Sequence, residues 1–247
     1  MLTRISNKYH SYGLKKTFVL IIKYPLRKLR WYLLLKNEPG KVFNTIYAKN
    51  FWESKESKSG EGSEITYTEN LRFWLETNIP NYSIKSIVDA PCGDFNWMRK
   101  VCPRVDVDYL GLDIVDEVIS SNISLYGQDK INFATKNIIR DRIPDCDLLI
   151  VRDCLFHFSF EHINQFLTNI SQTKYKYLLT TTHILNLDFV NTDIRTGDFR
   201  KIDLFKAPFN FSREHITEIV DDYPEGHLEP KAMLLIEKKF VPISLSS

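Results

Sequence analysis

Hydrophobic and polar positions follow two alternating patterns along most of this chain. Short apolar runs that end in turn residues predict five buried strands, at 86–90, 109–114, 131–135, 147–151 and 177–181. Apolar residues at helical spacing predict helices between them, most clearly at 115–126 and 160–172. Strands and helices in alternation predict a parallel sheet that is covered by helices on both faces.

Further elements flank this alternating region. Apolar residues over 64–78 predict a helix that ends near Pro80, and the run 232–240 predicts a last strand. The polar segment 57–63 contains two of the nine glycines, and it predicts a flexible loop. Phe51 and Trp52 precede this loop, which we expect either to close over a ligand as a lid or to remain a surface loop.

Composition limits the class of protein. The 247 residues are 43% hydrophobic and 13% aromatic, which is enough for one sizeable core and excludes a disordered chain. The formal net charge is only +2, which argues against a polyanion binder of the histone kind. The four cysteines lack the spacing of a zinc site and the density of a disulfide scaffold. We therefore expect no metal site and a reducing compartment, the cytoplasm.

The charge is unevenly distributed along the chain. Nine of the 33 Lys and Arg residues precede Glu38, the first acidic residue, and the remaining 24 face all 31 acids. We therefore divide the chain into a basic arm, 1–42, and a domain, 43–247. The apolar stretch 17–35 contains four cations, each costing about 3 kcal/mol at mid-bilayer, so it should not cross a membrane.

The arm carries an amphipathic pattern that leaves three interpretations open. Leu26, Leu29 and Leu33 recur at helical spacing among the cations, with Trp31 beside them. Such a helix at 17–36 suits the anionic inner face of a membrane, where it would bind a lipid surface or a lipid-linked substrate. Packing of the helix against its own domain and an arm that binds a nucleic acid backbone are the alternatives, and the interleaved aromatic residues alone do not distinguish them.

Candidate chemistry lies where the predicted strands end, because ligands of doubly wound sheets bind beyond the carboxyl ends of the strands. Asp89, Gly93 and Asp94 follow the first strand, and Asp113 closes the second, 20 residues after Gly93. This turn lacks the G-x-G-x-x-G pattern of a dinucleotide site, and its carboxylates suit a cationic ligand. Asp113 can accept hydrogen bonds from both ribose hydroxyls, which favours a nucleoside.

Three segments carry a resemblance to a known family. DAPCGDFNWM at 89–98, YLGLDIV at 109–115 and RDCLFHFS at 152–159 resemble the class I S-adenosylmethionine-dependent methyltransferases. The first motif is most similar to that of a bacterial subgroup with a Ser/Gly-rich loop before the first strand and a Thr-rich fifth strand. The resemblance covers about residues 43 to 240. It implies a Rossmann-like α/β fold with a mostly parallel seven-stranded sheet, an N-terminal helical extension, and S-adenosylmethionine as the cofactor.

The same resemblance implies roles for individual residues. The implied cofactor-binding residues are Asp89, Ala90, Cys92, Gly93, Asp94, Trp97, Asp113, Ile114, Asn137, Ile138 and Arg152. Asp89, Gly93 and Asp94 would line the methionine half, Asp113 the ribose, and Asn137 with Ile138 the adenine. Many relatives have an acid where Asn137 stands, but its amide oxygen can still accept from an exocyclic amine.

Methyl transfer from a sulfonium chiefly requires alignment of donor and acceptor. An oxygen or nitrogen acceptor also benefits from a base near the ends of the fourth and fifth strands, where the candidates are Asp153, His157 and His183, with Arg152 as an orienting group. If this segment turns helically, Asp153 and His157 share a face and form an Asp–His pair. The alternative is a histidine that packs under the cofactor and holds a loop.

The long polar and aromatic segment 185–211 is the expected acceptor pocket, with Arg200 and Asn191 as substrate-binding residues, unless it is a solvated flap. We therefore expect a methyltransferase that acts on an oxygen or nitrogen atom of a small-molecule, glycan or lipid-linked acceptor. The alternative from another class is a non-catalytic scaffold that keeps the cofactor fold and docks on a membrane assembly.

Overall fold

The computed structural model describes residues 28–224 and 230–245, and its centre is one seven-stranded sheet. The strands are β1 (Ser86–Asp89), β2 (Asp108–Asp113), β3 (Ile131–Thr135), β4 (Leu148–Val151), β5 (Tyr177–His183), β6 (Ile216–Asp221) and β7 (Lys231–Glu237). Their order is β3-β2-β1-β4-β5-β7-β6, and only β7 runs antiparallel to its neighbours. The predicted Rossmann-like α/β class with a mostly parallel sheet is confirmed.

Helices cover both faces of this sheet. They are α1 (Pro39–Ala48), α2 (Glu69–Asn81), α3 (Met98–Val101), α4 (Asp116–Tyr126) and α5 (Phe160–Ser171). β4 is buried throughout, and its side chains alternate between a core formed with α5 and a core formed with α2 and α3. A strand that is apolar on both faces is what a parallel sheet between two helical layers requires.

Two differences from the sequence prediction have physical reasons. β6 was not predicted, because it is an edge strand in which only Val220 is buried, so its apolar pattern is weak. α2 begins at Glu69 instead of residue 64 and continues through Pro80. Pro80 lies in the last turn, where a missing N–H costs the helix a single hydrogen bond.

The N-terminal region packs on the domain from residue 28 onward. A helix at 28–34 precedes α1, and the boundary expected between residues 42 and 43 falls inside α1. Val42 is buried in α1 and lies so close to Gly197 that a Cβ on that glycine would meet it at 2.3 Å. One continuous helix therefore joins the arm to the domain, while Leu26 and the rest of 1–27 lie outside the described residues.

Candidate active site

A cavity of about 350 Å³ opens at the carboxyl ends of β1, β2, β3 and β4. β1 pairs with β2 on one side and with β4 on the other, so the cavity lies where the strand order reverses, as in other doubly wound sheets. The sequence-predicted residues that border it are Cys92, Gly93, Trp97, Asp113, Ile114, Asn137, Ile138, Arg152, Asp153 and His157. The fold thus brings residues from four different strand ends around one space.

The turn after β1 is hydrogen-bonded to the carboxyl end of β2. Gly93 has φ of +54°, a left-handed conformation that favours glycine, and an added Cβ would meet Ser59 Oγ at 2.3 Å. Its N–H donates to Asp113 Oδ2 at 3.1 Å. The two predicted strand-end features therefore meet at the cavity edge.

Asp113 presents a buried carboxylate there. The Val115 N–H donates to Oδ1 at 3.0 Å, and the side chain is 7% exposed. Burial raises the pKa of Asp113 to about 6, against the backbone hydrogen bonds from Val115 and Gly93 that lower it. The carboxylate is therefore mostly ionised at pH 7, and it retains lone pairs that can accept further hydrogen bonds.

Asp89 and Ala90 do not border the cavity, because both are buried beneath the turn. Tyr109 donates its hydroxyl to Asp89 Oδ2 at 2.8 Å, whereas Oδ1 has no hydrogen-bond partner among the described residues. Burial raises the pKa of Asp89 to about 7. Asp89 Oδ1 is thus a buried hydrogen-bond acceptor without a partner in the described part of the chain, directly beneath the turn, and it suits a cationic ligand nearby.

Asp94 fastens the loop at 57–63 and does not border the cavity itself. Ser57 Oγ donates to both of its carboxylate oxygens at 2.9 Å, and the Lys58 N–H donates to Oδ2 at 2.9 Å. Its own N–H donates to Ser59 Oγ at 3.0 Å. Residues 59–63 in turn form one wall of the cavity. The loop therefore lies over the cavity and is hydrogen-bonded to the turn after β1.

A cluster of four charged side chains, three of them buried and Asp153 half-buried, lies at the cavity beside β4. Arg152 donates from Nε and Nη2 to the two oxygens of Asp222, both at 2.9 Å, and Nη1 lies 3.5 Å from Asp153 Oδ2. Lys231 Nζ contacts Asp153 Oδ2 and lies 3.4 Å from Asp222 Oδ2. The Arg152 guanidinium also lies 5.3 Å from the centre of the Trp97 ring. Two carboxylates therefore already neutralise the two cations.

The expected Asp–His pair does not form. Asp153 has φ of +51°, and a 3-10 turn at Leu155–His157 follows it where the pair required an α-helix. Burial alone would raise the pKa of the Asp153 carboxyl. The neighbouring charges of Arg152 and Lys231 outweigh burial and hold this pKa well below its usual range. Asp153 is therefore a fixed anion and a poor base.

Of the three candidate bases, His157 has the protonation state and tautomer that a general base needs. Its Nδ1 lies 2.8 Å from the backbone oxygen of Asp198. A carbonyl oxygen can only accept, so Nδ1 carries the proton and Nε2 has a free lone pair. Burial lowers the pKa of His157, which keeps the ring neutral at pH 7.

His183 is differently placed. Its Nδ1 accepts the Ile202 N–H at 3.2 Å, the ring is buried, and it does not border the cavity. Burial lowers the pKa of His183 to about 4. Its hydrogen bond holds the segment after β5 against that strand.

Aromatic rings surround His157, which follows β4, whereas Asp113 ends β2 on the other side of β1. Ring centres of Trp52, Phe156 and Phe199 lie 6.2, 4.6 and 5.9 Å from that of His157. Phe199 borders the cavity and lies in the segment 185–211 that was expected to form the acceptor pocket. Other residues border it without having been assigned to it from sequence: Phe156, Phe158 and, from α1, Pro39, Phe43 and Tyr47. The spacing of four residues in α1 is the signal that would have found the last three.

Arg200 and Asn191, the expected substrate-binding residues, do not border the cavity. Arg200 donates from Nη1 to the Phe158 oxygen at 2.6 Å and packs 4.9 Å from the Phe160 ring centre. Asn191 donates to the backbone oxygens of residues 203 and 207 at 2.9 Å and accepts the Asp203 N–H at 2.9 Å. Both side chains form hydrogen bonds with backbone groups, and these bonds stabilise the segment that contains Phe199.

Apolar side chains, one amide and Lys136 line the end of the cavity next to β3. Ile114, Val118 and Ile138 border it together with Asn137. Asn137 Oδ1 accepts the Ile139 N–H at 3.1 Å, which fixes the orientation of the amide. This flat apolar slot has the chemical character of a site for a heterocyclic ring.

No protein-family model and no curated protein sequence matches the chain, whereas solved structures do. Human N-acetylserotonin methyltransferase in complex with S-adenosylmethionine is 13% identical, with a TM-score of 0.51 over 79% of this chain and 58% of that enzyme. Magnesium protoporphyrin IX methyltransferase of Synechocystis PCC 6803, bound to S-adenosylhomocysteine, is 12% identical, with a TM-score of 0.52 over 74% and 85%.

A third similar structure is mitomycin 7-O-methyltransferase, 12% identical with a TM-score of 0.55 over 84% of this chain and 60% of that enzyme. The chain thus spans less than two thirds of the human and mitomycin enzymes. At these identities the likeness concerns the fold. The chain has the fold of the class I S-adenosylmethionine-dependent methyltransferases.

Proposed function

We propose that this chain transfers a methyl group from S-adenosylmethionine to a hydroxyl group of a neutral acceptor with a flat apolar face. The observation that carries this proposal is the two-ended cavity. One end presents the Asp113 carboxylate beside the Gly93 turn, and the other presents the neutral imidazole of His157 among aromatic rings. The assignment to the bacterial subgroup with the DAPCGDFNWM-type motif also belongs to this proposal.

The residues present fit the cofactor. Asp113 would accept hydrogen bonds from the ribose hydroxyls, and Asn137 with Ile138 would hold the adenine in the slot beside β3. The charged groups that border the cavity are three acids and two cations. Arg152 and Asp153 are paired within the charge cluster, which leaves Glu61 and Asp113 against Lys136. A net acidic lining favours a ligand with a sulfonium and an ammonium group.

His157 supplies what a hydroxyl acceptor needs. When bound, S-adenosylmethionine provides a methyl group whose bond to sulfur breaks, with the electron pair staying on sulfur, as the acceptor oxygen bonds to the carbon. The acceptor hydroxyl loses its proton, and the free lone pair of His157 Nε2 takes it. The segment 57–63 and the rings beside His157 keep water from the reacting oxygen.

The walls of the acceptor end favour an uncharged ring. Trp52, Phe156 and Phe199 provide flat apolar surface, and the cations Arg152 and Lys231 are committed to buried carboxylates. The other cation that borders the cavity, Lys136, directly follows β3, so a phosphate or carboxylate on the acceptor would lack a free cation beside His157 among the described residues. The mitomycin enzyme, whose name specifies an oxygen acceptor, is consistent with this chemistry.

The test separates cofactor binding from proton removal. Calorimetry should detect binding of S-adenosylhomocysteine to the intact chain and to His157→Gln with equal affinity. With a phenolic or sugar acceptor found by screening, His157→Gln should lower kcat by about 10² to 10⁴, the contribution of a general base. His215→Gln changes an exposed histidine outside the cavity and should retain full activity.

Two results would contradict the proposal. Absence of any binding of S-adenosylmethionine or its demethylated product to the intact chain would favour the non-catalytic scaffold. Unchanged kcat in His157→Gln would remove the proposed role of the imidazole.

A further inference from the structure

The helix at 28–34 has two different faces. Trp31, Leu34 and Leu35 pack against α1, and Trp31 Nε1 donates to Asp198 Oδ1 at 3.4 Å. On the opposite face Leu29 is 52%, Tyr32 45% and Leu33 51% exposed. Residues spaced by three and four share one side of a helix, so these three side chains form one apolar stripe. The stripe stays about half exposed, although the Arg195 guanidinium lies 4.8 Å from the centre of the Tyr32 ring.

Cations surround this stripe. Lys28, Arg30 and Lys36 are exposed, and none of them forms an ion pair within the described part of the chain. Lys36 Nζ lies 4.8 Å from the centre of the Tyr32 ring. Residues 28–37 contain no acid, and six further cations without an acid precede them in the sequence. The surface is therefore both apolar and strongly basic.

The face of this helix that packs against α1 lies beside the end of the cavity near His157. The Trp31 ring centre is 5.2 Å from that of Phe51, which is exposed and directly precedes Trp52 in the cavity wall. Phe199, which borders the same end, is also exposed. Apolar surface thus continues from the helix to the cavity entrance.

We propose that the stripe Leu29, Tyr32 and Leu33, with Lys28, Arg30 and Lys36, docks this protein on an anionic lipid bilayer surface. Half-exposed leucines beside an aromatic ring suit burial at the boundary between headgroups and acyl chains, and the cations suit attraction to anionic headgroups. No helix within 28–224 or 230–245 is long and apolar enough to cross a bilayer. This docking holds whether or not the chain transfers methyl groups.

Vesicle flotation with the full chain tests the proposal. We expect the protein to float with phosphatidylcholine vesicles that contain phosphatidylglycerol, to stay in solution with pure phosphatidylcholine, and to be released by salt. Arg30→Gln should weaken the binding about fivefold, as expected for one cation near an anionic surface. Lys100→Gln removes an exposed cation from α3 and should leave binding unchanged.

A second pair of variants tests the contribution of the apolar side chains to vesicle binding. The double substitution Leu29→Ser with Leu33→Ser should abolish flotation, whereas Leu125→Ser, at a 66% exposed position on α4, should not affect it. All three leucines are exposed, so circular dichroism should show each variant folded. Unchanged flotation of the double variant would overturn the proposal and assign any binding to residues 1–27. Binding to duplex DNA that vesicles do not compete away would overturn it in favour of a nucleic acid surface.

Discussion

The buried charge cluster beside β4 makes a quantitative prediction about stability. Asp222 accepts two hydrogen bonds from Arg152 and lies 3.4 Å from the Lys231 ammonium, and none of its side chain is exposed. The substitution Asp222→Asn keeps the shape but removes one negative charge. It also turns an NH₂ group toward a guanidinium N–H, so that two donors meet.

The magnitude follows from burial. Removing one partner of a buried ion pair costs about 3 to 5 kcal/mol. Here the substitution leaves two buried cations with Asp153 as their one remaining carboxylate in the cluster. The side chains of Arg152 and Lys231 are only 3% and 7% exposed, so solvent cannot replace the lost carboxylate. An exposed pair is different: Arg104 and Glu76 lie 2.9 Å apart with Arg104 60% exposed, and such pairs contribute about 0 to 1 kcal/mol.

Urea denaturation at pH 7 measures both effects as changes in the free energy of unfolding. We expect Asp222→Asn to lose about 3 kcal/mol or more, and Glu76→Gln to lose less than about 1 kcal/mol. Equal losses in the two variants would refute the view that solvent exclusion makes this cluster a fixed wall of the cavity.

Three further predictions concern the cofactor end. Asp113→Asn should weaken S-adenosylhomocysteine binding about 10- to 100-fold in calorimetry, because hydrogen bonds to a charged group contribute about 1.5 to 3 kcal/mol. Gly62→Ala should also weaken it, because a Cβ there would meet Asp153 Oδ2 at 2.6 Å and push the loop aside, whereas Gly40→Ala, with its nearest neighbour at 3.7 Å, should bind normally. Asp89 holds its proton up to about pH 7 when folded but only to about 3.8 when unfolded. The folded chain thus binds more protons in this window, so this group lowers the free energy of unfolding as pH rises from about 4 to 7, by up to about 1.4 kcal/mol per unit. Asp89→Asn should remove that slope in denaturation curves at successive pH values.

The sheet and its cofactor end were largely predictable from sequence. Strands buried on both faces, such as β4, are continuous apolar runs, and the carboxyl ends of parallel strands share one edge of the sheet. That geometry alone brings Gly93 and Asp113 together once their strands are recognised. β6 lacked a comparable signal because its side chains are mostly exposed.

The end of the cavity around His157 was less predictable from sequence. Polar residues in the segment 185–211 can bind a ligand or can form hydrogen bonds with buried backbone groups. In a long connection that folds back on the domain, side chains must satisfy buried backbone groups. Asn191 and Arg200 do this, and composition cannot distinguish that use from ligand binding. The Asp–His pair failed for a local reason, since the left-handed backbone at Asp153 breaks the helical spacing on which it depended.

The central claim is that one cavity holds the nucleoside at Asp113 and presents the acceptor to His157. A crystal structure of this chain with S-adenosylhomocysteine tests it most directly. We expect ribose hydroxyls within about 3 Å of the Asp113 carboxylate, with the sulfur directed toward the aromatic rings around His157. A ligand bound elsewhere, or one whose ribose avoids Asp113, would contradict it.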